Sequence, residues 1–508
     1  MIKIKQYFLD NRKIIELSAV WFVFFLALNS KWNYGISKYN LTEIINMLRF
    51  LSLYSVPLLF YFYFFFVKKY KFNNNIVLYS LYLYCFSQIV GFANFYFFNE
   101  KLFEATLMKE NLILNGYNLK FSYSFFTGIA MAIPIPLIAI FIKNYEDVKK
   151  IFYLSLVLLS LITLIYSIRI FYEWIIDDKT YLYYVPYLTW GTLLDMPAPR
   201  ATGIARWYLI LFLSVLSILI IKDSKHSLKF LILLAVLGSI IYLFQSRTSV
   251  YFLFFSCLFI FFKKQSFYKN LIILISLIFL IITGSNSVIK LKQEYNIYNM
   301  KVEIEKMEME IENMLNEIKK EPNINNKELL ALKKIDLDKI KSILENKVQH
   351  TTINPEASRN LGKEGNYSSG RRYIWREVSK YLLKFRLTNL FFGYGSQADR
   401  YLVTQNASNG ILYILITSGI LGLSFFSIIY LKIFQIFYIL FKYRKKIKQQ
   451  KLIEFHHIAS IFIILFFSCR VLVENSFTIY GLDYLFFLIS FASLFNLHLY
   501  FQNISHKN

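Results

Sequence analysis

What most constrains this chain is a recurrence of long apolar segments from one end to the other. They fall near 14–29, 50–67, 76–98, 122–142, 150–171, 207–221, 228–244, 249–262, 269–284, 410–441, 456–474 and 478–502, the shortest at 249–262. A hydrocarbon core about 30 Å thick is crossed by about 20 apolar residues of helix. The expected fold class is therefore an all-α integral membrane protein with about 12 transmembrane helices. A hydrophobic content of 56% and a mean hydropathy of +0.44 exclude a soluble fold.

A formal charge of +25 would suggest a nucleic-acid partner in a soluble protein. Here the basic residues sit between apolar runs, so topology accounts for them and no nucleic acid is expected. If the N-terminus starts in the cytoplasm and the chain alternates, the inside loops carry Lys68, Lys69 and Lys71; Lys143, Lys149 and Lys150; Lys222 and Lys225; and Lys263, Lys264 and Lys269. The last inside loop carries Lys442, Arg444, Lys445, Lys446, Lys448 and Lys451. Short basic loops stay cytoplasmic, which places both termini inside. The basic start Met1–Lys13 is followed by an apolar run without a small-residue cleavage site and reads as a retained first helix. Cys85, Cys257 and Cys469 all lie inside apolar segments, so neither a disulfide framework nor a metal-ligand spacing is visible.

The alternation divides the chain into a membrane bundle of about nine helices (1–284), a large outer loop between helices 9 and 10 (285–409), and C-terminal membrane helices (410–508). Within the loop, Met300, Ile304, Met307, Ile311, Met314 and Ile318 form a heptad seam that Glu321-Pro322 ends. Leu329–Val348 supplies a second amphipathic run, and together they predict a helical hairpin insert over 297–349. Such a hairpin either packs on itself or offers a docking surface to a partner such as a chain-length regulator protein.

Polar chemistry concentrates at the outer ends of the helices. Of six histidines only His350 falls on that side, in a linker without a motif, so a histidine base has little support. Arginines are more informative. Arg200 and Arg206 bracket a helix entrance, Arg247 sits in a short Gln-Ser-Arg-Thr turn between two spans, and Arg371-Arg372 open the stretch Gly370–Leu423. A guanidinium is always charged and its planar fork matches phosphate oxygens, whereas an isolated membrane-edge arginine more often snorkels or holds a loop. Arg470 and Glu474, one turn apart, read by default as a structural pair. Glu474 remains a candidate because charge at that depth is costly.

The order Ser246-Arg247, then Gly370-Arg371-Arg372-Tyr373-Ile374-Trp375, Phe392-Gly393-Tyr394-Gly395, Ala407-Ser408-Asn409-Gly410 and Ser418-Gly419-Ile420-Leu421-Gly422-Leu423 resembles the O-antigen ligase/polymerase family of bacterial envelope enzymes. Arg200-Ala-Thr-Gly203 resembles that family's other arginine site, and the likeness runs from about Pro199 to the end. The resemblance implies a GT-C-like glycosyltransferase bundle in the bacterial inner membrane with a periplasmic active site. The donor it implies is an oligosaccharide on undecaprenyl pyrophosphate, transferred with inversion and with neither cofactor nor metal. It also implies catalytic roles for Arg247 and for Arg200 or Arg206, between which spacing does not decide. Arg371, Arg372, Trp375, Tyr394, Asn409 and Glu474 become candidate substrate-binding residues. The family's ligases carry a histidine directly before the asparagine, where this chain has Ser408. That departure favours the polymerase branch over a ligase acting on a lipid or protein acceptor. A lipid-linked oligosaccharide flippase is disfavoured by the late outer polar mass and the lack of an internal repeat.

Overall fold

The computed structural model describes residues 12–28, 41–69, 75–98, 121–176, 182, 201–221, 227–263, 265–318, 371–383, 387–403, 407, 409–442, 453–474 and 476–505, and their regular elements are all helical. The first ten helices are α1 (Arg12–Leu26), α2 (Leu41–Phe62), α3 (Ile76–Phe98), α4 (Phe121–Ala132), α5 (Ile135–Phe141), α6 (Tyr145–Ile176), α7 (Ala201–Ile221), α8 (Ser227–Leu243), α9 (Arg247–Cys257) and α10 (Phe267–Ile318). Three shorter helices follow, α11 (Arg371–Leu383), α12 (Leu387–Phe392) and α13 (Ala398–Leu402), and then α14 (Gly410–Lys442), α15 (Phe455–Arg470) and α16 (Leu482–Ser505). Each of the apolar segments marked in the sequence falls on a helix or helix pair.

Seven of the described helices (α2, α3, α6, α7, α10, α14 and α16) are long and apolar enough to cross a membrane. Four further apolar stretches are shorter: Thr127–Phe141, Leu228–Leu243, Arg247–Phe262 and Phe455–Arg470. The chain is thus an all-α membrane protein. Side chains such as Leu59, Phe66, Phe97, Phe262, Ile272 and Leu431 point their apolar surface outward, the arrangement that lipid rather than water favours.

The helices alternate up and down, and the contacts at their ends show it. At one end Lys13 pairs with Asp147 at 2.7 Å, Lys149 with Glu454 at 2.8 Å and Lys68 with Glu16 at 3.4 Å. These bridges join the starts of α1, α6 and α15 to the end of α2. Three helices begin at this end with their orphan amides capped. Val77 N–H donates to Asn75, Glu146 N–H donates to Asn144, and Glu454 forms a capping box with His457. The partners across this end are the basic segments that the sequence groups on one side.

At the opposite end α11–α13 form a small cap on α3 and α14, with its own core of Phe95, Val378, Leu382, Tyr394, Leu402 and Tyr413. The Gly-Tyr-Gly turn fastens it. α14 breaks at Gly419 (φ +62°, ψ −161°), so carbonyls just before the break lose their helical donors. Tyr394 N–H donates to the Ile416 carbonyl and Gly395 N–H to that of Thr417, both at 2.8 Å, which replaces those bonds. Gly393 (φ +71°) and Gly395 (φ +93°) supply the left-handed backbone this approach requires. Asn94 of α3 closes the seam, donating to Asn389 and to the Gly393 carbonyl at 2.9 Å each.

The outer-loop boundary expected at 284/285 is not a break in the chain's structure. α10 runs uninterrupted for 52 residues, from the apolar segment into the first arm of the expected hairpin, about 78 Å at 1.5 Å per residue. Gly284 lets α10 sit against Ser239 of α8, and Ser285 Oγ donates to the Ile281 carbonyl at 2.6 Å, so these polar residues are satisfied within the helix. Further on, Lys292 donates to the Ile175 carbonyl at 2.9 Å and lies over Trp174, which ties the extension to the end of α6. The second arm, Leu329–Val348, lies outside the described residues.

Candidate functional site

The cap and the ends of α7, α9, α14, α15 and α16 share one end of the bundle, and charged side chains gather there. Arg206 is in the second turn of α7. Its Nε stands 3.0 Å from Oδ2 of Asp483, which opens α16 and is buried. The distance suits an ion pair, but neither group reaches hydrogen-bond geometry with the other. Arg470 ends α15, fully enclosed, with its guanidinium 5.7 Å from the Phe466 ring. Its nearest carboxylate oxygen is Glu474 Oε2, at 3.5 Å. Arg206, Glu474 and Asp483 all act electrostatically on Arg470, so the four form one network. Helix dipoles favour the placement, with the acid at a helix start and the guanidinium at a helix end.

Arg247 begins α9 at the same level. The three-residue turn before it holds Gln245 in a left-handed conformation (φ +48°), uncommon for a residue with a side chain. Ser246 Oγ donates to Ser249 Oγ at 3.1 Å to close the turn. Two ring contacts fix the height of Arg247. Phe244, three residues earlier, meets Tyr208 of α7 at 6.1 Å, two residues past Arg206. Phe252 meets Phe466 of α15 at 5.0 Å, four residues before Arg470. Because α9 packs against both α7 and α15, Arg206, Arg247 and Arg470 share one end of three mutually contacting helices. Of these, Arg206 and Arg470 are coupled to the Asp483 and Glu474 carboxylates.

The structure sorts the sequence candidates. Arg206 and Arg247 lie at this end, together with Glu474. Arg200 lies outside the described residues, and α11 begins at Arg371-Arg372 without their side chains being described. Trp375 is half-buried on α11, and its indole N–H lacks a hydrogen-bond partner among the described residues. Asn409 is committed to architecture: it donates to the Leu472 carbonyl at 2.9 Å and accepts from Leu412 N–H at 3.0 Å, while Gly410 N–H donates to Val471 O. Tyr394, expected as a substrate-binding residue, is instead core. It is buried against Phe95 and its hydroxyl donates to the Tyr381 carbonyl at 3.1 Å, which leaves no open face for a ligand.

Sequence reasoning missed two members. Asp483 drew no notice, and Arg470 read as half of a local pair with Glu474. A signal was present, since Arg470 closes one apolar helix and Asp483 opens the next, and a short connection must bring such ends together. No group of three His, Cys, Asp or Glu side chains with metal-ligating geometry occurs among the described residues. Comparison of the chain with protein-family models, characterised proteins and solved structures returned no match.

Proposed function

We propose that the chain is a membrane glycosyltransferase of the polysaccharide-polymerase type. It takes a glycan from an undecaprenyl pyrophosphate donor and adds it to the terminal sugar of a second lipid-linked repeat unit, with inversion, at the periplasmic face of the inner membrane. The observation that carries this reading is the convergence of Arg206, Arg247 and Arg470 at one end of three contacting apolar helices. A lipid pyrophosphate needs that environment, with its tail among hydrocarbon-facing helices and its anion against guanidinium forks at the edge.

In the transfer, an acceptor hydroxyl attacks the anomeric carbon and the bond to the pyrophosphate oxygen breaks. Charge grows on the departing pyrophosphate, and fixed cations stabilise that charge more than the ground state. The short turn that precedes Arg247 and the position of Arg206 near the start of α7 support this role for them. The order of motifs shared with the ligase/polymerase family supports the same reading, and Ser408 before Asn409 favours polymerase over ligase. Gel analysis of surface glycan in a deletion strain tests it. Single-unit caps are the expected result. Bare acceptor lipid with long lipid-linked chains would instead mark a ligase, and absent surface glycan with inward-facing intermediates a flippase.

A further inference from the structure

At the end of the bundle opposite the cap, one cation on a membrane-crossing helix is held in place without a carboxylate. Lys432 of α14 donates to Gln435 Oε1 at 2.8 Å. Its ammonium stands 3.5 Å from His498 Nε2 and 5.7 Å from the Phe495 ring, both on α16. Lys13, Lys68 and Lys149 at the same end each meet a carboxylate. Lys432 meets an amide, an imidazole and a ring instead, and no acid among the described residues acts on it. An ammonium has three donors, and these neighbours leave at least one of them unused. His498 is 1% exposed, and its Nδ1 has no hydrogen-bond partner among the described residues. A lysine that merely snorkels extends its ammonium freely into water. This one is folded against α16, with its charge positioned and uncompensated.

Two measures put Lys432 at the membrane boundary. Along α14 it lies about 22 residues past Gly410 at the cap end, about 33 Å of helix at 1.5 Å per residue, which matches one hydrocarbon thickness. Across the bundle, Asn496, two residues before His498, donates to the Ile142 carbonyl at 2.6 Å. Ile142 leads into the turn that opens α6, the end at which Lys149 pairs with Glu454. The outward face of α14 around Lys432 is apolar, with Leu431 68% and Phe434 63% exposed. Tyr438 and Tyr500 are exposed beyond them, and tyrosines suit the headgroup level. Gln435 is exposed on the same stretch.

We propose that this seam between α14 and α16 seats one anionic phospholipid from the leaflet at that end. A phosphodiester oxygen accepts from the unused donor of Lys432 and from the Gln435 amide, and the acyl chains run past Leu431 toward the bilayer centre. A lysine binds phosphate as a point charge, and basic pockets between spanning helices recognise anionic head groups. A zwitterionic lipid offers the same phosphate beside a cation that the ammonium repels, so the seat discriminates by net charge. It lies at the opposite end from Arg206, Arg247 and Arg470 and is independent of the function proposed above.

The test is native mass spectrometry of the full-length protein in detergent, titrated separately with phosphatidylglycerol and phosphatidylcholine of equal chain length. The quantity read is the affinity of the first lipid bound. Wild type should bind phosphatidylglycerol more tightly than phosphatidylcholine. Lys432→Gln should weaken phosphatidylglycerol about 5- to 10-fold, the effect of one interfacial cation, and leave phosphatidylcholine unchanged. Lys432→Arg keeps a cation there and should keep the preference. Lys68→Gln removes a charge at the same end that already has a carboxylate, and should leave the first binding unchanged. Gln435→Leu alters an exposed position that folding tolerates, so it carries the test if Lys432→Gln does not fold; phosphatidylglycerol binding should weaken there as well. A wild type without preference would overturn the proposal, as would a folded Lys432→Gln or Gln435→Leu protein that binds phosphatidylglycerol like wild type. Equal weakening by Lys68→Gln and Lys432→Gln would also overturn it, because it marks diffuse attraction to the basic end and no seat.

Discussion

The close approach of α3, α14 and the Gly-Tyr-Gly turn gives a prediction whose sign runs against helix propensity. Gly91 sits in the interior of α3, where Gly→Ala in isolation stabilises a helix by about 1 kcal/mol. A Cβ at Gly91 would lie 2.6 Å from the Phe392 carbonyl oxygen, 2.8 Å from Gly395 N, and closer still to the Thr417 carbonyl oxygen. All three are backbone atoms, so no rotamer change relieves the contact. Separating the elements costs about 1–3 kcal/mol for overpacking. It also weakens the bonds of Tyr394 N–H and Gly395 N–H to α14, each worth about 1 kcal/mol. Subtracting the propensity gain leaves Gly91→Ala destabilised by about 2–4 kcal/mol. Gly128→Ala on α4 is the matched control. Its Cβ would meet the Ile89 side chain at 3.3 Å, which can give way, so the change should stay within about 1 kcal/mol of wild type. Equilibrium unfolding in mixed micelles of dodecyl maltoside and dodecyl sulfate measures both. If Gly91→Ala unfolds where Gly128→Ala does, the seam between cap and bundle is not packed as described.

Two further outcomes follow from the ends of the bundle. Burial pushes the Glu454 carboxyl up, but hydrogen bonds from Lys149 and Tyr145, with the Lys149 charge, outweigh it and leave the group below its ordinary value of 4.5. A depressed carboxylate contributes stability that is complete above the unfolded-state value and lost as pH falls through the folded one. Glu454→Gln should therefore unfold below wild type at neutral pH, with the gap closing as pH falls through and below the ordinary carboxylate range; a gap that persists in acid would sink the assignment. For topology, with Cys469→Ser removing the one exposed native thiol, a cysteine at Glu303 on α10 should react with an impermeant maleimide in intact spheroplasts. A cysteine at Lys68 should react only after lysis, and the reverse pattern would invert the molecule.

Much of the helix layout was legible because apolar runs and basic loops obey simple rules, and the end pairs Lys13–Asp147 and Lys149–Glu454 join the segments those rules group together. Where hydropathy and helicity part company, the apolar pattern alone does not mark where a helix ends or breaks. The hydropathy of α10 drops after Gly284, yet Ser285 satisfies its own hydroxyl on Ile281 and the helix continues. The apolar run of α14 is continuous, yet Gly419 breaks it, because the carbonyls it frees are taken by a turn some twenty residues upstream. Tyr394 carried a binding-residue pattern and proved to be core, since an aromatic flanked by two glycines serves close packing as well as contact with a ligand. Arg206 and Arg247 could be picked out one at a time by their places at helix entrances. The partnership of Arg470 with Arg206 and Asp483 is a contact across three helices, and no local spacing encodes it.

The central claim is that guanidiniums at this end of the bundle neutralise a departing pyrophosphate. The most direct measurement takes purified protein in nanodiscs with lipid-linked repeat units and reads polymer length on a gel. Wild-type protein should build polymer. Arg247→Ala should lose on the order of 10²–10³ in rate, the usual cost of one electrostatic donor, at unchanged expression and membrane insertion. Arg247→Lys should remain clearly impaired, because it keeps the charge and loses the fork. Near-normal polymer from Arg247→Ala would contradict the account, for it would mean that this arginine only anchors the turn between α8 and α9.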